Sequence, residues 1–313
     1  MFPSQRTDIS YYGIFVKEQM DALNSHTPAI CDYFIIDGFR SKLNYLTSIP
    51  RVLKAISDGS YDVIHVHYGL SGIFLLSRPF KKWPNVILTF HGTDILIKQK
   101  KYVQVLLSKI IARKASRLIV LNEEMLQVAQ KSSTPTCIIP CGVDEVFFSG
   151  KKKPLGICTL LFAGDPSRWV KNYPLFEKII ESYANIYGEV TVRTLGNLDR
   201  EGVKSALLSC SALIMCSHSE GSPQIIKEAL SCDIPIISSN VGDVAYTLGK
   251  TLGTRIFELH EETDTIAKLV RNAIDEASAA PGARRQRLLE LKLDNTSIAK
   301  RIYSEYLELK NKL

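Results

Sequence analysis

Two carboxylates, Glu220 and Glu228, have seven residues between them. They flank what reads as the start of a helix that follows a strand. Ala212–Cys216 is a short apolar run, the pattern of a buried strand. Ser222 is placed to cap the helix, with Pro223 at its first position, where a missing N–H costs nothing. Gln224–Cys232 continues as helix, and Ile234–Ser238 reads as the next strand. This puts Glu220 at a strand's C-terminal tip and Glu228 about 8 Å further along the helix axis. Open parallel sheets bind ligands at the C-terminal ends of their strands, and a helix N-terminus attracts an anion. A phosphate there, between two carboxylates that accept from hydroxyls, suits a nucleotide-sugar. By itself such a glutamate pair is most often solvated surface charge.

Other residues could add to this chemistry. Arg168 and Lys171 lie in Phe162-Ala-Gly-Asp-Pro-Ser-Arg-Trp-Val-Lys-Asn, a loop between a strand and a helix. Two fixed cations there can hold a diphosphate and stabilise the charge that grows on it as a sugar departs. As residue types alone they equally describe an ordinary solvated pair. His91 closes a strand in Thr89-Phe-His-Gly-Thr-Asp, where a lone histidine is commonly a packed polar residue. His65 and His67 share one side of a strand by the period of two. No third ligand is spaced to join them and no Asp-X-Asp motif occurs, so the expectation is a site without metal or other cofactor.

These residues need a scaffold of alternating strands and helices, and the sequence supplies the pattern. Strands are expected at Asp32–Ile36, Val63–His67, Val86–Phe90, Leu118–Leu121 and Cys137–Pro140. Further strands are expected at Thr159–Ala163, Glu189–Thr194, Ala212–Cys216, Ile234–Ser238 and Thr254–Phe257. Helices are expected at Tyr12–Leu23, Ile49–Ser57, Tyr102–Ala115, Tyr173–Tyr187, Glu201–Leu208, Pro223–Cys232 and Asp264–Ala279. A terminal helix is capped by Ser297, with Ile298, Ile302, Tyr306 and Leu309 at helical spacing. The polar run Ser149-Gly-Lys-Lys-Lys-Pro-Leu-Gly reads as a linker.

The 313 residues suit two domains. No apolar run nears the roughly 20 residues that span a bilayer, and the N-terminus lacks a signal-peptide core. Seven cysteines without metal or disulfide spacing point to free thiols in a reducing cytoplasm. The net charge of +7 is concentrated early, with 17 Lys and Arg against 12 Asp and Glu in residues 1–150. Lys98, Lys100, Lys101, Lys109, Arg113, Lys114 and Arg117 crowd one helix, whose apolar face is expected to comprise Val103, Leu106, Leu107, Ile110 and Ile111. Such a helix fits either an anionic membrane surface or a solvated face packed on the sheet. Nucleic acid is not expected, because no aromatic residues interleave with the charge.

The run Glu-Gly-Ser-Pro, then Ile-Ile-Lys-Glu-Ala-Leu, an apolar strand and Val-Gly-Asp, closely resembles the donor-site signature of family 4 retaining glycosyltransferases with the GT-B fold. The resemblance covers nearly the whole chain. It implies two Rossmann-like α/β domains facing a cleft: residues 1–148 for the acceptor, 149–294 for the donor, and a helix at 295–313 crossing back to the first. Met1-Phe-Pro-Ser resembles the segment just after the family's first strand, so that strand is expected to be missing here.

The same resemblance implies roles. Arg168 and Lys171 would clamp the donor phosphates, Glu220 the sugar hydroxyls and Glu228 the ribose. Gly221 and Ser222 would add contacts at the helix start. Gly13 resembles the turn glycine that lets backbone approach donor phosphate or acceptor, and His91 the residue near the scissile bond. His67 and Asp94, the latter expected to be exposed, would touch the acceptor. Ser211 and Asp233 depart from the pattern, standing where the family usually has Asp and Gly. The implied activity is metal-independent transfer with retention, from a UDP- or GDP-sugar to a saccharide or lipid-linked acceptor in polysaccharide assembly. The implied location is the cytoplasm, with peripheral membrane contact open. A nucleotide-sugar 2-epimerase, or a truncated non-catalytic nucleotide binder, also fits these residues.

Overall fold

The computed structural model describes residues 13–38, 40–77, 83, 85–97, 101–150, 156–196 and 198–311. Met1–Ser4, expected to follow a missing strand, the start of the first helix at Tyr12, Lys98 and Lys100, and most of the 149–156 linker lie outside the described residues. Contacts divide the chain into two compact units. One runs from Phe15 to Cys141 and resumes at Thr296; the other includes Gly142–Asn295.

The first unit contains helices α1 (Ile14–His26), α2 (Leu43–Thr47) and α3 (Ile49–Asp58), then strands β1 (Ile64–His67) and β2 (Val86–Thr89). Helix α4 (Tyr102–Ala112), strand β3 (Arg117–Val120), helix α5 (Glu123–Ala129) and strand β4 (Thr136–Ile138) follow. The four strands are parallel, in the order β1-β2-β3-β4. All four residues of β2 are buried, as a strand covered on both faces requires. Asn122 caps α5, its side chain accepting from the Met125 amide at 2.9 Å.

The second unit contains β5 (Cys158–Phe162), α6 (Tyr173–Tyr187), β6 (Val190–Thr194), α7 (Arg200–Leu208), β7 (Ala212–Met215) and α8 (Gln224–Ser231). It continues with β8 (Ile236–Ser239), α9 (Val244–Leu248), β9 (Thr254–Phe257), α10 (Thr263–Ala279) and α11 (Ala283–Glu290). Its parallel sheet has the order β6-β5-β7-β8-β9. Strands β7 and β8 are wholly buried, with Leu160, Phe162, Ile214, Ile237 and Phe257 in the core and Phe176, Ile179, Ile266 and Val270 packed on them from α6 and α10.

Helix α12 (Asn295–Lys310) belongs to the first unit. Arg117 on β3 reaches Glu305 at 2.5 Å and Glu308 at 2.7 Å, and Arg301 donates to the Ile138 carbonyl on β4.

Several expectations need correction. Asp32–Ile36 is not a strand, and Tyr33 and Phe34 are exposed; among the described residues no strand pairs with it, and an unpaired run has no ladder to join. Pro223, not Ser222, is the cap residue of α8, and α12 starts at Asn295, ahead of Ser297. Val103, Leu106 and Ile110 of α4 point outward, while Val105, Ser108, Ile111 and Ala112 are buried. Asp233 does adopt the left-handed conformation, at φ +59°, and its carboxylate binds Arg284 at 2.9 Å.

Candidate functional site

In the second unit the chain runs from β5 outward to β6, then returns past β5 to β7. The C-terminal ends of β5 and β7 therefore flank the point where strand order reverses, the place where open α/β sheets bind ligands. Both loops there carry candidate residues. After β5, Trp169–Lys171 form one 3-10 turn, ended by Asn172 at φ +57°. Asparagine tolerates that left-handed geometry better than most residues, and Pro174 then opens α6. The turn brings Lys171 back over Gly164, where a Cβ would lie 3.0 Å from the lysine stem. Lys171 is thereby buried, and its Nζ donates to Glu220 Oε1 at 2.8 Å. The Ser217 hydroxyl donates to the same oxygen, also at 2.8 Å. Arg168 is exposed on the same loop, beside Asp165. Trp169 is 70% exposed, with its ring 5.7 Å from that of His218.

The segment Glu220–Gly221 is fixed from below. Gly242 has φ +59°, and a Cβ on it would stand 2.3 Å from the Gly221 carbonyl oxygen and 2.9 Å from that of Glu220. Only glycine lets the two backbones approach so closely. Ser222 donates its hydroxyl to Asp243 at 2.5 Å instead of capping α8. Burial raises the Asp243 carboxyl above its ordinary range, partly offset by Lys227 and by the Ser222 bond.

Glu228 is only 3% exposed, and its Oε1 accepts from Arg200 Nη1 at 2.7 Å. The Arg200 guanidinium lies 4.5 Å from the Phe147 ring centre. Glu228 is thus a buried, paired carboxylate and not the open one that spacing alone suggested. Arg200, Ser217, Gly242 and Asp243 were not singled out from the sequence. Of these only Gly242 and Asp243 carried a signal, as part of Val-Gly-Asp.

In the first unit, three histidines form one stack at the C-terminal ends of β1 and β2. The His65 and His67 rings are 4.3 Å apart, and the His67 and His91 rings 5.4 Å. His67 Nδ1 lies 3.2 Å from His91 Nε2, so one nitrogen carries the hydrogen and the other the lone pair. Gln19 Nε2 is 3.4 Å from His67 Nε2. His65 is held at both nitrogens, by Tyr306 of α12 and Thr89 of β2, each at 2.7 Å. Burial lowers all three: His67 to about 4, and His65 and His91 well below the ordinary range, helped by neighbouring histidines.

Asp94 is fully buried, not exposed. Its oxygens accept from the Gly69 and His91 amides, each at 2.9 Å, and burial raises its carboxyl to about 6. It therefore joins the turn after β1 to the turn carrying His91. Gly13 has φ +74°, with no described atom within 4 Å of a Cβ there. Among the described residues no group of three histidine, cysteine or acidic side chains could hold a metal ion, and no helix is long and apolar enough to cross a membrane. None of the seven cysteines is in a disulfide.

Two parallel α/β units, one with candidate residues at its switch point, define a GT-B protein, and solved structures agree on the fold. Sucrose-phosphate synthase from Thermosynechococcus elongatus superposes with a TM-score of 0.72 at 17% identity, over 96% of this chain and 94% of that one. Anabaena HepE in complex with UDP gives 0.67 at 14% identity, over 85% and 84%. The family model Glycosyltransferase Family 4 matches residues 15–147, and Glycosyl transferases group 1 matches residues 153–288. The chain belongs to the family 4 glycosyltransferases. It is also 25% identical over 220 residues to a Bacillus subtilis (strain 168) protein named teichuronic acid biosynthesis glycosyltransferase TuaC. That match covers 60% of this chain and 56% of TuaC, little more than half of the relative's length.

Proposed function

We propose that this chain moves a sugar from a nucleoside diphosphate donor to a saccharide or lipid-linked acceptor in the assembly of a surface polysaccharide, with retention at the anomeric carbon. The observation that carries the reading is the Lys171–Glu220 pair at the point where strand order reverses in the second unit. Lys171, with exposed Arg168 on the same loop, supplies positive charge for the departing diphosphate. Glu220 accepts hydroxyls of the donor sugar, its position set by Lys171, Ser217 and the close approach of Gly242. Glu228, steadied by Arg200, takes the ribose hydroxyls. Gly221 and Ser222 lie at the entry to α8, where amides favour an anion. In the first unit, His91 takes the donor-sugar role its motif implies, with its ring oriented by His67. His67 itself and Gly13 keep the acceptor-side and turn roles that the motif implies. Positioning and charge carry the reaction, and neither a protein nucleophile nor a metal ion is assigned a part.

The relatives supply the chemical class. HepE has been solved with UDP and with UDP-glucose, and TuaC is named for a polysaccharide. The test is calorimetric titration of the chain with UDP and with GDP, beside a Glu228→Gln variant that keeps the side chain's size. One nucleotide should bind, and the substitution should weaken it roughly tenfold through loss of a charged hydrogen bond. No binding of either nucleotide by folded protein refutes the donor site. Equal binding by the variant removes Glu228 from it and leaves the Arg200 pair as packing. With a donor sugar identified, release of a free epimerised sugar in place of a glycoside would refute transfer.

A further inference from the structure

Helix α4 packs one side and displays another that is also apolar. Val105, Ser108, Ile111 and Ala112 are buried, and the helix lies against the 3-10 segment Gly69–Ser77. Tyr102, Val103, Leu106 and Ile110 are 61, 74, 60 and 40% exposed. At the helical period these four fall within an arc of about 100°. Single exposed apolar side chains are ordinary, but four on one face of an 11-residue helix form a patch that calls for a partner.

The charge around the patch says which partner. From Lys98 to Arg117 there are seven Lys and Arg and no Asp or Glu. Arg117 is engaged by Glu305 and Glu308. Lys101 at the N-cap and Arg113 at the C-cap are exposed, with Lys109 partly so between them. A second copy of the chain would set one wholly cationic segment against another. A dissolved polyanion would use the charge and leave the apolar arc in water. An anionic bilayer offers both a phosphate layer and an apolar boundary beneath it.

We propose that α4 lies in the plane of an anionic membrane surface. Tyr102, Val103, Leu106 and Ile110 enter the boundary between headgroups and acyl chains, and Lys101, Lys109 and Arg113 stay at the phosphates. The proposal needs no sugar transfer, so it stands or falls apart from the function above.

The experiment is vesicle flotation of the full chain at 0.15 M salt, with phosphatidylcholine alone or with about 30% phosphatidylglycerol, within the range of anionic surfaces that attract basic segments. The protein should float with the mixed vesicles and not with the neutral ones. Lys101→Glu/Lys109→Glu/Arg113→Glu should lower the partition coefficient at least about a hundredfold, at roughly fivefold for each cation lost. Leu106→Asp/Ile110→Asp should abolish flotation without changing the thermal midpoint, since both side chains are exposed. Failure of the parent chain to float with mixed vesicles overturns the proposal, as does equal flotation with neutral ones. So does undiminished flotation of either variant. A concentration-dependent dimer that Leu106→Asp dissolves would assign the patch to a second copy and overturn the proposal too.

Discussion

Replacing Gly242 with alanine tests whether Glu220 must stand where it does. The new Cβ would meet the Gly221 carbonyl oxygen at 2.3 Å, and ordinary contact begins near 3.4 Å. The neighbour is backbone, so it cannot swing aside, and the Glu220–Gly221 segment must move by about 1 Å to reach normal contact distance. Lys171 Nζ and Ser217 Oγ hold Glu220 Oε1 at 2.8 Å each, so a shift of that size takes both to the edge of hydrogen bonding. A misplacement of about 1 Å at a reacting centre costs on the order of a hundredfold in rate, or about 2.7 kcal/mol. The positive φ adds about 1 kcal/mol of folding strain for alanine. The assay is release of nucleoside diphosphate from the sugar donor, beside a thermal melt and nucleotide titration. Turnover should fall about a hundredfold while nucleotide affinity, which rests on Glu228 in this reading, changes only a few-fold. Gly242→Asn separates the two causes, because asparagine tolerates the backbone but keeps the Cβ. It should regain stability and not turnover. Full turnover in folded Gly242→Ala, or recovery in Gly242→Asn, would refute the reasoning.

Acid should loosen the first unit. His65, His67 and His91 have folded values below their unfolded one, so the unfolded chain binds more protons as pH falls from about 6.5 towards 4. Each costs up to roughly 1.4 kcal/mol per pH unit in that window. Asp94, raised to about 6, works the other way between about 6 and 4 and offsets one of the three. Thermal melts over that range should show a falling midpoint, with a shallower slope in His65→Phe; a flat profile would contradict the burial of the stack. Arg284→Met should destabilise the second unit by about 3–5 kcal/mol, because it removes the buried guanidinium from the Asp233 carboxylate and from the Asp233 and Leu252 carbonyls. Urea unfolding followed by tyrosine emission checks this, and a loss below about 1 kcal/mol would make the pair peripheral. Trp83 is buried and Trp169 is 70% exposed beside Lys171, so nucleotide-sugar should change emission in the parent chain and not in Trp169→Phe. An unchanged response in that variant would move the ligand away from this loop.

Much of the scaffold is readable because burial on both faces leaves a simple trace. The all-apolar β7 could be nothing but a covered strand, and α6 runs over the same Tyr173–Tyr187 that its pattern marks. The reading fails where local pattern is degenerate. Helix α4 is apolar at most of its 11 positions, so periodicity cannot say which side packs. Asp32–Ile36 has strand-forming residues but no neighbour to pair with among those described. Helix α11, Ala-Arg-Arg-Gln-Arg-Leu-Leu-Glu, is too polar to announce itself and is secured by Arg284 on Asp233, 51 positions away. The site divides similarly. Glu220 and Lys171 are recognisable by motif, but their bond joins two loops, and no linear spacing shows that Arg200 closes over Glu228 or that Asp94 turns inward.

Helix α12 also sets an order of events when the chain is made. Its Tyr306 bonds His65, and its Glu305 pairs with Arg117, across 241 and almost 190 positions of sequence. All of Gly142–Asn295 is synthesised between the two halves of the first unit. At 5–20 residues per second the ribosome needs roughly 10–30 seconds to cross that gap. Throughout it, the second unit can assemble from contiguous sequence, while β1 and β3 wait without the helix that covers their polar groups. The histidine stack is therefore finished last, and a nascent chain would hold its Lys171–Glu220 pair before His65 met Tyr306.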